Sequence, residues 1–566
     1  MITGEHRPFL DGLLVLLAPA LLLAACSPQR TVYSGGPVLT MDAQDRVVEA
    51  VGVEGDRIGA VGTTAEVRTW AGSGATEVDL HGRALLPGFI DAHGHFPGGG
   101  IYARAADLNS PPIGDVHTID DLVERLQARS EETSSGDWVL GLGYDDTLLD
   151  PARHPTSADL DRVSTTQPVA AIHISAHLAA VNSVGLQRLG IDASTADPEG
   201  GHIRRDDAGA ATGVLEETAA QPLIEMLMRP GLLGSLAILR EGNRRALRAG
   251  VTTAQVGYAT ADALAIATAS RFGFVPLRLV IWPSAELAAE ELAGSRTLRS
   301  SDEEWIHYGA VKLIADGSLQ GYTAYLGEPY YVPPGNDPSY RGYPRYTKEE
   351  LRALVSRFHA AGKQVAVHGN GDAAIDDILD AIEAAQRQTP RVDARPIIVH
   401  AQMARPDQLD RMRDLGVIPS FFVLHTYYWG DRHRDRFLGP ERAARISPAA
   451  SASARGIRFT LHCDAPVVPL EPLRLVWAAV NRRSTGGAII GAAERIPVTA
   501  ALRAVTIDAA WQHYEENMKG SLERGKLADM VILSRSPHDD PEHIDEIAVE
   551  ATIVGGETVY RRGEPQ

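Results

Sequence analysis

Two histidines one residue apart, His93 and His95, close the segment Pro87-Gly88-Phe89-Ile90-Asp91-Ala92-His93-Gly94-His95. In an extended strand residues i and i+2 share a face, so this pair is placed to grip one metal ion. The apolar run Ala84-Leu85-Leu86 before it and the Gly-rich Pro97-Gly98-Gly99-Gly100 after it put the pair where a buried strand emerges into a loop. Four more short apolar runs end in residues with the chemistry of a metal site: Ala310-Val311-Lys312, Gln364-Val365-Ala366-Val367-His368, Pro396-Ile397-Ile398-Val399-His400 and Ile457 to Asp464. His93, His95, Lys312, His368, His400 and Asp464 together form a candidate metal constellation. A lysine ammonium cannot bind a cation, but a buried lysine driven to its neutral form can react with carbon dioxide to give a carbamate, which bridges two metals as a carboxylate does. The alternative is an ordinary Lys312 paired with Asp316 beside a mononuclear site.

The elements that must position these residues repeat a pattern of strand then helix. That pattern predicts an α/β chain with parallel strands and helical crossovers, and polar residues gathered at strand C-terminal ends are the mark of a (β/α)8 TIM-like barrel. A barrel needs roughly 250 residues; this chain has 566, of which 44% are hydrophobic, so further modules are expected. Residues from Thr31 to Gly82 and from Lys526 to Arg562 alternate apolar and polar with frequent Gly and Asp turns. Each end alone offers too few strands for a core, which predicts one small β-sandwich built from 29–85 and 520–566, flanking a barrel over 86–519. The next strand after the first, Val251-Thr252-Thr253-Ala254-Gln255-Val256, lies too far along for a single crossover, so an insertion over about 97–245 is expected.

The motifs resemble the metal-dependent amidohydrolase superfamily, and within it the formamide-deformylase-like branch (amidohydrolase family 3). Matching segments are Pro87 to His95, Gly141 to Asp145, His177 to Asn182, Gly213-Val214-Leu215 with Glu217, Val311-Lys312 with Asp316-Gly317-Ser318, His368 with Gly371-Asp372, His400-Ala401-Gln402, Asp464 to Val467, and Gly525 to Asp529. The resemblance implies that His93, His95 and Asp464 hold one divalent ion and His368 and His400 a second, with Lys312 N-carboxylated between them. Imidazoles with one carboxylate favour zinc, with iron, cobalt, nickel and manganese as alternatives. Asp464 is then the catalytic base, taking a proton from the attacking water and passing it to the leaving nitrogen of a small-molecule amide. The resemblance also places His177, Asn182, His202 and Glu217 over the barrel mouth as substrate-binding groups, with Tyr144, Asp145 and Asp316 beside the pocket; the alternative is that the insertion residues cap helices and stabilise the insertion. Aromatic residues at Tyr322, Tyr325, Tyr330 and Tyr331, and from Phe421 to Trp429, suit the walls of an apolar pocket or pack the insertion on the barrel. His462 replaces a small residue usual in relatives, either orienting Asp464 or filling the core, and Cys463 reads as a small buried thiol.

The apolar run Leu13 to Ala25 has the length of a signal-peptide core, and Leu23-Ala24-Ala25-Cys26 resembles a bacterial lipobox. Residues 1–25 are therefore expected to be a lipoprotein-type signal peptide, with Cys26 lipidated and the protein anchored in the bacterial cell envelope, at the outer membrane facing the periplasm. The formal charge of −19 argues against nucleic acid as a partner. The function expected is hydrolysis of a linear amide, formamide or N-acyl compound, with a cyclic amidase or deaminase as the alternative on the same metal site and a non-catalytic ligand-binding lipoprotein as a further one.

Overall fold

The computed structural model describes residues 29–564 apart from 147, 175–177, 199–200, 229–230 and 335–336. The N-terminal strands are β1 (Arg30–Leu39), β2 (Val47–Glu54), β3 (Arg57–Gly62), β4 (Thr76–Asp79) and β5 (Ala84–Pro87), followed by the short β6 (Phe89–Ile90). The insertion holds β7 (Ala106–Asp107), β8 (Val139–Tyr144), β9 (Val169–His173), β10 (Leu178–Val181), β11 (Gly201–Arg205) and β12 (Ala211–Glu217). Next come β13 (Val251–Ala259), β14 (Arg278–Pro283), β15 (Ile306–Tyr308), β16 (Val311–Ile314), β17 (Val365–Gly369), β18 (Ile397–His400), β19 (Ile418–Phe421) and β20 (Thr460–Leu461). The chain closes with β21 (Met530–Leu533), β22 (Val549–Val554) and β23 (Glu557–Arg561).

The central strands are parallel and read as unbroken apolar runs because both faces are covered: β14 and β18 are buried along their whole length. Helices Lys348–Ala360, Asp372–Gln388 and Pro406–Leu415 follow β16, β17 and β18 as crossovers. Their limits are set locally. Thr347 and Glu350 form a reciprocal capping box at the first, while the third starts with proline and stops at Gly416, whose φ of 64° a side chain would resist. The parallel strands form two ladders, β6-β13-β14-β15 and β16-β17-β18-β19-β20. No continuous ladder joins the two sheets among the described residues. They meet through a parallel bridge between Ser284 and Lys312 on one side, and on the other through the Asp464 N–H donating to the His93 carbonyl at 3.2 Å and the His95 N–H donating to the Ala465 carbonyl at 2.7 Å.

The terminal module differs from the expected sandwich of two sheets. Strands from both ends of the chain share one eight-stranded sheet in the order β23-β22-β21-β5-β1-β2-β3, with β4 added on β1. Its curl brings Val51, Val53 and Ile58 from one half against Met530, Ile532 and Ile553 from the other, so a single sheet encloses its own core. The insertion is a sheet in its own right, ordered β11-β12-β10-β9-β8-β7 and buried on both faces. Alternate residues of β9 serve the two faces, Ala170 and Ile172 one cluster, Val169 and Ala171 the other.

A buried ion pair ties the terminal sheet to the parallel strands. Arg278, first residue of β14, donates from Nε to Asp529 Oδ2 at 2.6 Å and from Nη2 to Oδ1 at 3.0 Å, with both side chains almost fully shielded. Asp529 Oδ1 also accepts the Gly555 N–H, and Arg278 Nη1 donates to the Glu304 carbonyl while its guanidinium lies over Trp305. Removing one partner leaves a charge buried alone. Asp529→Ala is therefore expected to destabilise the protein by about 3–5 kcal/mol, read as a lower denaturant midpoint for loss of tertiary fluorescence.

Candidate active site

The predicted residues converge at the C-terminal ends of the parallel strands. His93 and His95 follow β6, Lys312 is the second residue of β16, His368 is the penultimate residue of β17, His400 closes β18, and Asp464 follows β20. Asp464 Oδ1 lies 3.3 Å from His95 Nε2 and 3.5 Å from His93 Nε2, and ligand atoms of these three residues sit within 4.8 Å of one another. Lys312 Nζ is 3.0 Å from His93 Nε2. His400 Nε2 is 3.0 Å from His368 Nδ1, close to the roughly 3.3 Å kept by two nitrogens each about 2.0 Å from one ion. His400 and Asp464 reach these positions with φ of 72° and 55°, a left-handed backbone that side chains adopt only where surrounding packing compels it.

Hydrogen bonds behind the imidazoles fix which nitrogen faces the site. Gln255 Nε2 donates to the Ala92 carbonyl at 2.9 Å, so its Oε1 is an acceptor, and His93 must present Nδ1–H to it at 2.7 Å. The His93 Nε2 lone pair is thereby turned to Lys312. A longer relay sets His400. Gln512 Nε2 donates to the Ala92 carbonyl, leaving its Oε1 to accept the Thr460 hydroxyl proton at 2.7 Å. The same hydroxyl is shared with Ser420 Oγ, 2.8 Å away, which stands 3.0 Å from His462 Nδ1. His462 Nε2 in turn lies 3.0 Å from His400 Nδ1, which turns His400 Nε2 inward. His462 thus orients His400 rather than Asp464.

This arrangement fits a cation. Among the described residues Asp464 Oδ1 is buried without a hydrogen-bond partner, although two imidazole nitrogens lie within 3.5 Å. Neutral imidazole is the form that ligates metal, and burial favours it here. Burial, then Lys312, lowers His368 to about 4, burial lowers His462 to about 3, and burial holds His93 and His400 well below the ordinary range. Burial brings Lys312 down to about 7, against the opposing charge of Asp464. For Asp464 burial favours the protonated acid, but His95, His462 and Lys312 outweigh it and keep the carboxyl below its usual range. Two glycines make room for the ligands: a Cβ at Gly94 would stand 2.2 Å from Asp91 Oδ2, and one at Gly257 2.5 Å from the His93 ring.

The expected substrate-binding residues divide differently. Asn182 is fully buried and caps the helix Ser183–Leu189: its Oδ1 accepts from Gly185 and Val169, and its Nδ2 donates to the Ser164 and Gln167 carbonyls. That exhausts its hydrogen-bonding capacity, so the capping alternative holds. Tyr144 is also fully buried, in the insertion core, with its hydroxyl 3.1 Å from His154 Nδ1. Asp316 is buried and accepts backbone N–H groups from Tyr325, Asn370 and Gly371, binding two loops together instead of facing a substrate or pairing with Lys312. His202 pairs at the surface with Asp197. His177 and the side chain of Glu217 lie outside the described residues. Tyr322 and Tyr330 pack with each other, and Tyr322 with Phe437, whereas Phe422 reaches the His400 and His462 rings. Cys463 is buried and its thiol is pushed up by that burial, as an inert core residue should be.

Gln255, Ser420, Thr460 and Gln512 escaped the sequence reading. The usable signal was a lone amide or hydroxyl in otherwise apolar strands, as in Val251-Thr252-Thr253-Ala254-Gln255-Val256 and Ile418-Pro419-Ser420-Phe421.

Comparison with known proteins agrees with this geometry. A model of the amidohydrolase family matches residues 76–560. The chain is 30% identical over 542 residues to an N-substituted formamide deformylase of Arthrobacter pascens, covering 93% of this chain and 97% of that protein. It is 29% identical over 582 residues to Protein LONG AFTER FAR-RED 3 of Arabidopsis thaliana, covering 99% and 96%. A crystal structure of an uncharacterized metal-dependent hydrolase from Pyrococcus furiosus superposes with a TM-score of 0.71 at 26% identity, over 91% of this chain and all of that one. The chain belongs to the amidohydrolase family and is a metal-dependent hydrolase of carbon–nitrogen bonds.

Proposed function

We propose that the protein hydrolyses a linear N-substituted formamide or related N-acyl amide at a binuclear centre at the C-terminal mouth of a TIM-type barrel built from the two parallel ladders. His93, His95 and Asp464 would hold one divalent ion and His368 and His400 the other, with zinc the ion best suited to imidazoles and a single carboxylate. The observation that carries this reading is the convergence of the His93 and His400 lone pairs on the space around Lys312, whose buried amine titrates near 7. A neutral amine at that position could add to carbon dioxide with loss of one proton, and the resulting N-carboxylated Lys312 would supply carboxylate-like oxygens to the ions held by the neighbouring histidines and Asp464. The 30% identity to the Arthrobacter deformylase supports the substrate class. A bound divalent ion would supply Lewis acidity, bringing a water ligand toward a pKa of about 7 and polarising the amide carbonyl.

The protein's own groups then divide the work. The Asp464 carboxylate takes a proton from the attacking water and returns it to the amide nitrogen as the C–N bond breaks, releasing an acid and an amine. Gln255 holds His93, and the relay from Gln512 through His462 holds His400, so that no ring need rotate during turnover. His95, the most open of the ligands, marks the side from which substrate enters. For the N-terminus, Leu23-Ala24-Ala25-Cys26 supports a lipid on Cys26 and an anchor at the outer membrane facing the periplasm, in residues that lie outside the described ones. No helix among the described residues is long and apolar enough to cross a membrane.

Elemental analysis of the zinc-loaded protein, paired with release of formate or other acids from a panel of N-substituted formamides and N-acyl amines, should give two ions per chain and turnover. Ammonia as the product would instead place the protein with deaminases. Lys312→Ala is expected to lose bound metal and to fall in kcat/KM by more than about 100-fold; full metal and activity in that variant would end the carbamate proposal. Gln255→Leu, which frees the His93 tautomer without touching the site itself, is expected to weaken metal affinity or activity about 10–100-fold, measured by chelator competition and by kcat/KM. Cys26→Ser should abolish labelling by a fatty-acid probe and release an active protein from membranes.

A further inference from the structure

A second group of donors stands apart from the catalytic centre, on the insertion. Asp145 and Asp146 occupy the turn after β8, and His173 is the last residue of β9. The two strands run parallel and pair Tyr144 with His173, so all three residues emerge at neighbouring strand C-terminal ends, where open sheets place their ligand sites. Ligand atoms of Asp145, Asp146 and His173 lie within 4.8 Å of one another. His154, in the following loop, lies outside that group, with its Nε2 3.6 Å from Asp146 Oδ2.

Asp146 Oδ1 lies 3.1 Å from His173 Nε2. Tetrahedral ligands about 2.0–2.1 Å from a zinc-like ion stand roughly 3.3 Å apart, so this pair is close to the required spacing. The fully buried Tyr144 hydroxyl, 3.1 Å from His154 Nδ1, holds that ring beside the other oxygen of Asp146. The nearby Arg204 is engaged by Glu216, and Arg432, from the loop after β19, acts by its charge on Asp145.

We infer that Asp145, Asp146 and His173 form a site for one divalent transition ion of the zinc type, separate from the catalytic centre, with His154 beside Asp146 as a positioning residue. An imidazole together with two carboxylates favours a borderline ion over calcium or magnesium. The ion pins the turn after β8 to the end of β9, beside the barrel loop that carries Arg432.

Zinc itself is the probe. The full-length protein and its Asp146→Ala, His173→Ala and His154→Gln variants would be loaded with zinc, freed of excess and counted by plasma mass spectrometry, with far-UV circular dichroism confirming the fold. The wild type is expected to retain one zinc more per chain than Asp146→Ala and His173→Ala. His154→Gln, the mildest change, should lower chelator-competition affinity for that ion at least about tenfold. The same extra ion should persist in His93→Ala, whose own loss reports on the catalytic centre, so the two sites succeed or fail independently. Equal zinc counts and affinities in the wild type and in the folded variants would overturn the inference and leave the cluster as a hydrogen-bonded one.

Discussion

Desolvation of Lys312 is the constraint around which the site is organised. An ammonium buried among imidazoles would be held there at heavy cost, and the fold contains it by lowering the amine's pKa rather than by offering it a close carboxylate. The same dry surroundings keep the four neighbouring histidines, His93, His368, His400 and His462, neutral. One physical condition therefore prepares both the amine and the lone pairs of a metal centre. Asp464 is the exception, kept charged inside this pocket by the groups around it.

Neutral imidazoles have two tautomers, and only one of each presents a lone pair to the right place. The structure resolves that ambiguity from outside the site, through side-chain amides whose orientation is pinned by backbone carbonyls. Gln255 and Gln512 both donate to the carbonyl of Ala92, one residue before the first ligand. A single backbone oxygen thus anchors the two relays that aim His93 and His400. The left-handed backbone at His400 and Asp464 belongs to the same logic: ligand direction is given precedence over local ease, and the buried parallel strands on either side supply the restraint.

The candidate ligands were legible in the sequence because each combines a rare donor type with the end of an apolar run. His93, His95, His368, His400 and Asp464 all satisfy that rule, and the helical crossovers were read from the repeated pattern of strand then helix. The pooled β-structure of the two chain ends was legible from alternation alone, but its single curled sheet was not, since strand pairing between residues hundreds of positions apart leaves no local mark. Polar side chains deep in the fold were the weakest point. Asn182 and Tyr144 look like pocket residues until their partners are known, and nothing in a one-dimensional reading shows that Asn182 has already spent every donor and acceptor on its own backbone surroundings. The relay through Ser420, Thr460 and Gln512 was hidden for the converse reason: hydroxyls and amides are common, and only their alignment gives them meaning.

The shared terminal sheet also has a bearing on how the chain is made. Strand β5, which leads directly into the first candidate ligand-bearing strand, is flanked on one side by β21, so its pairing is completed only by residues hundreds of positions further along the chain. At about 5–20 residues per second the ribosome needs on the order of tens of seconds to deliver that partner, and until then the apolar faces of β1, β2 and β5 stand uncovered. Loss of β21 would reach the catalytic centre, not by removing any candidate ligand, but by unseating the strand on which His93 and His95 depend.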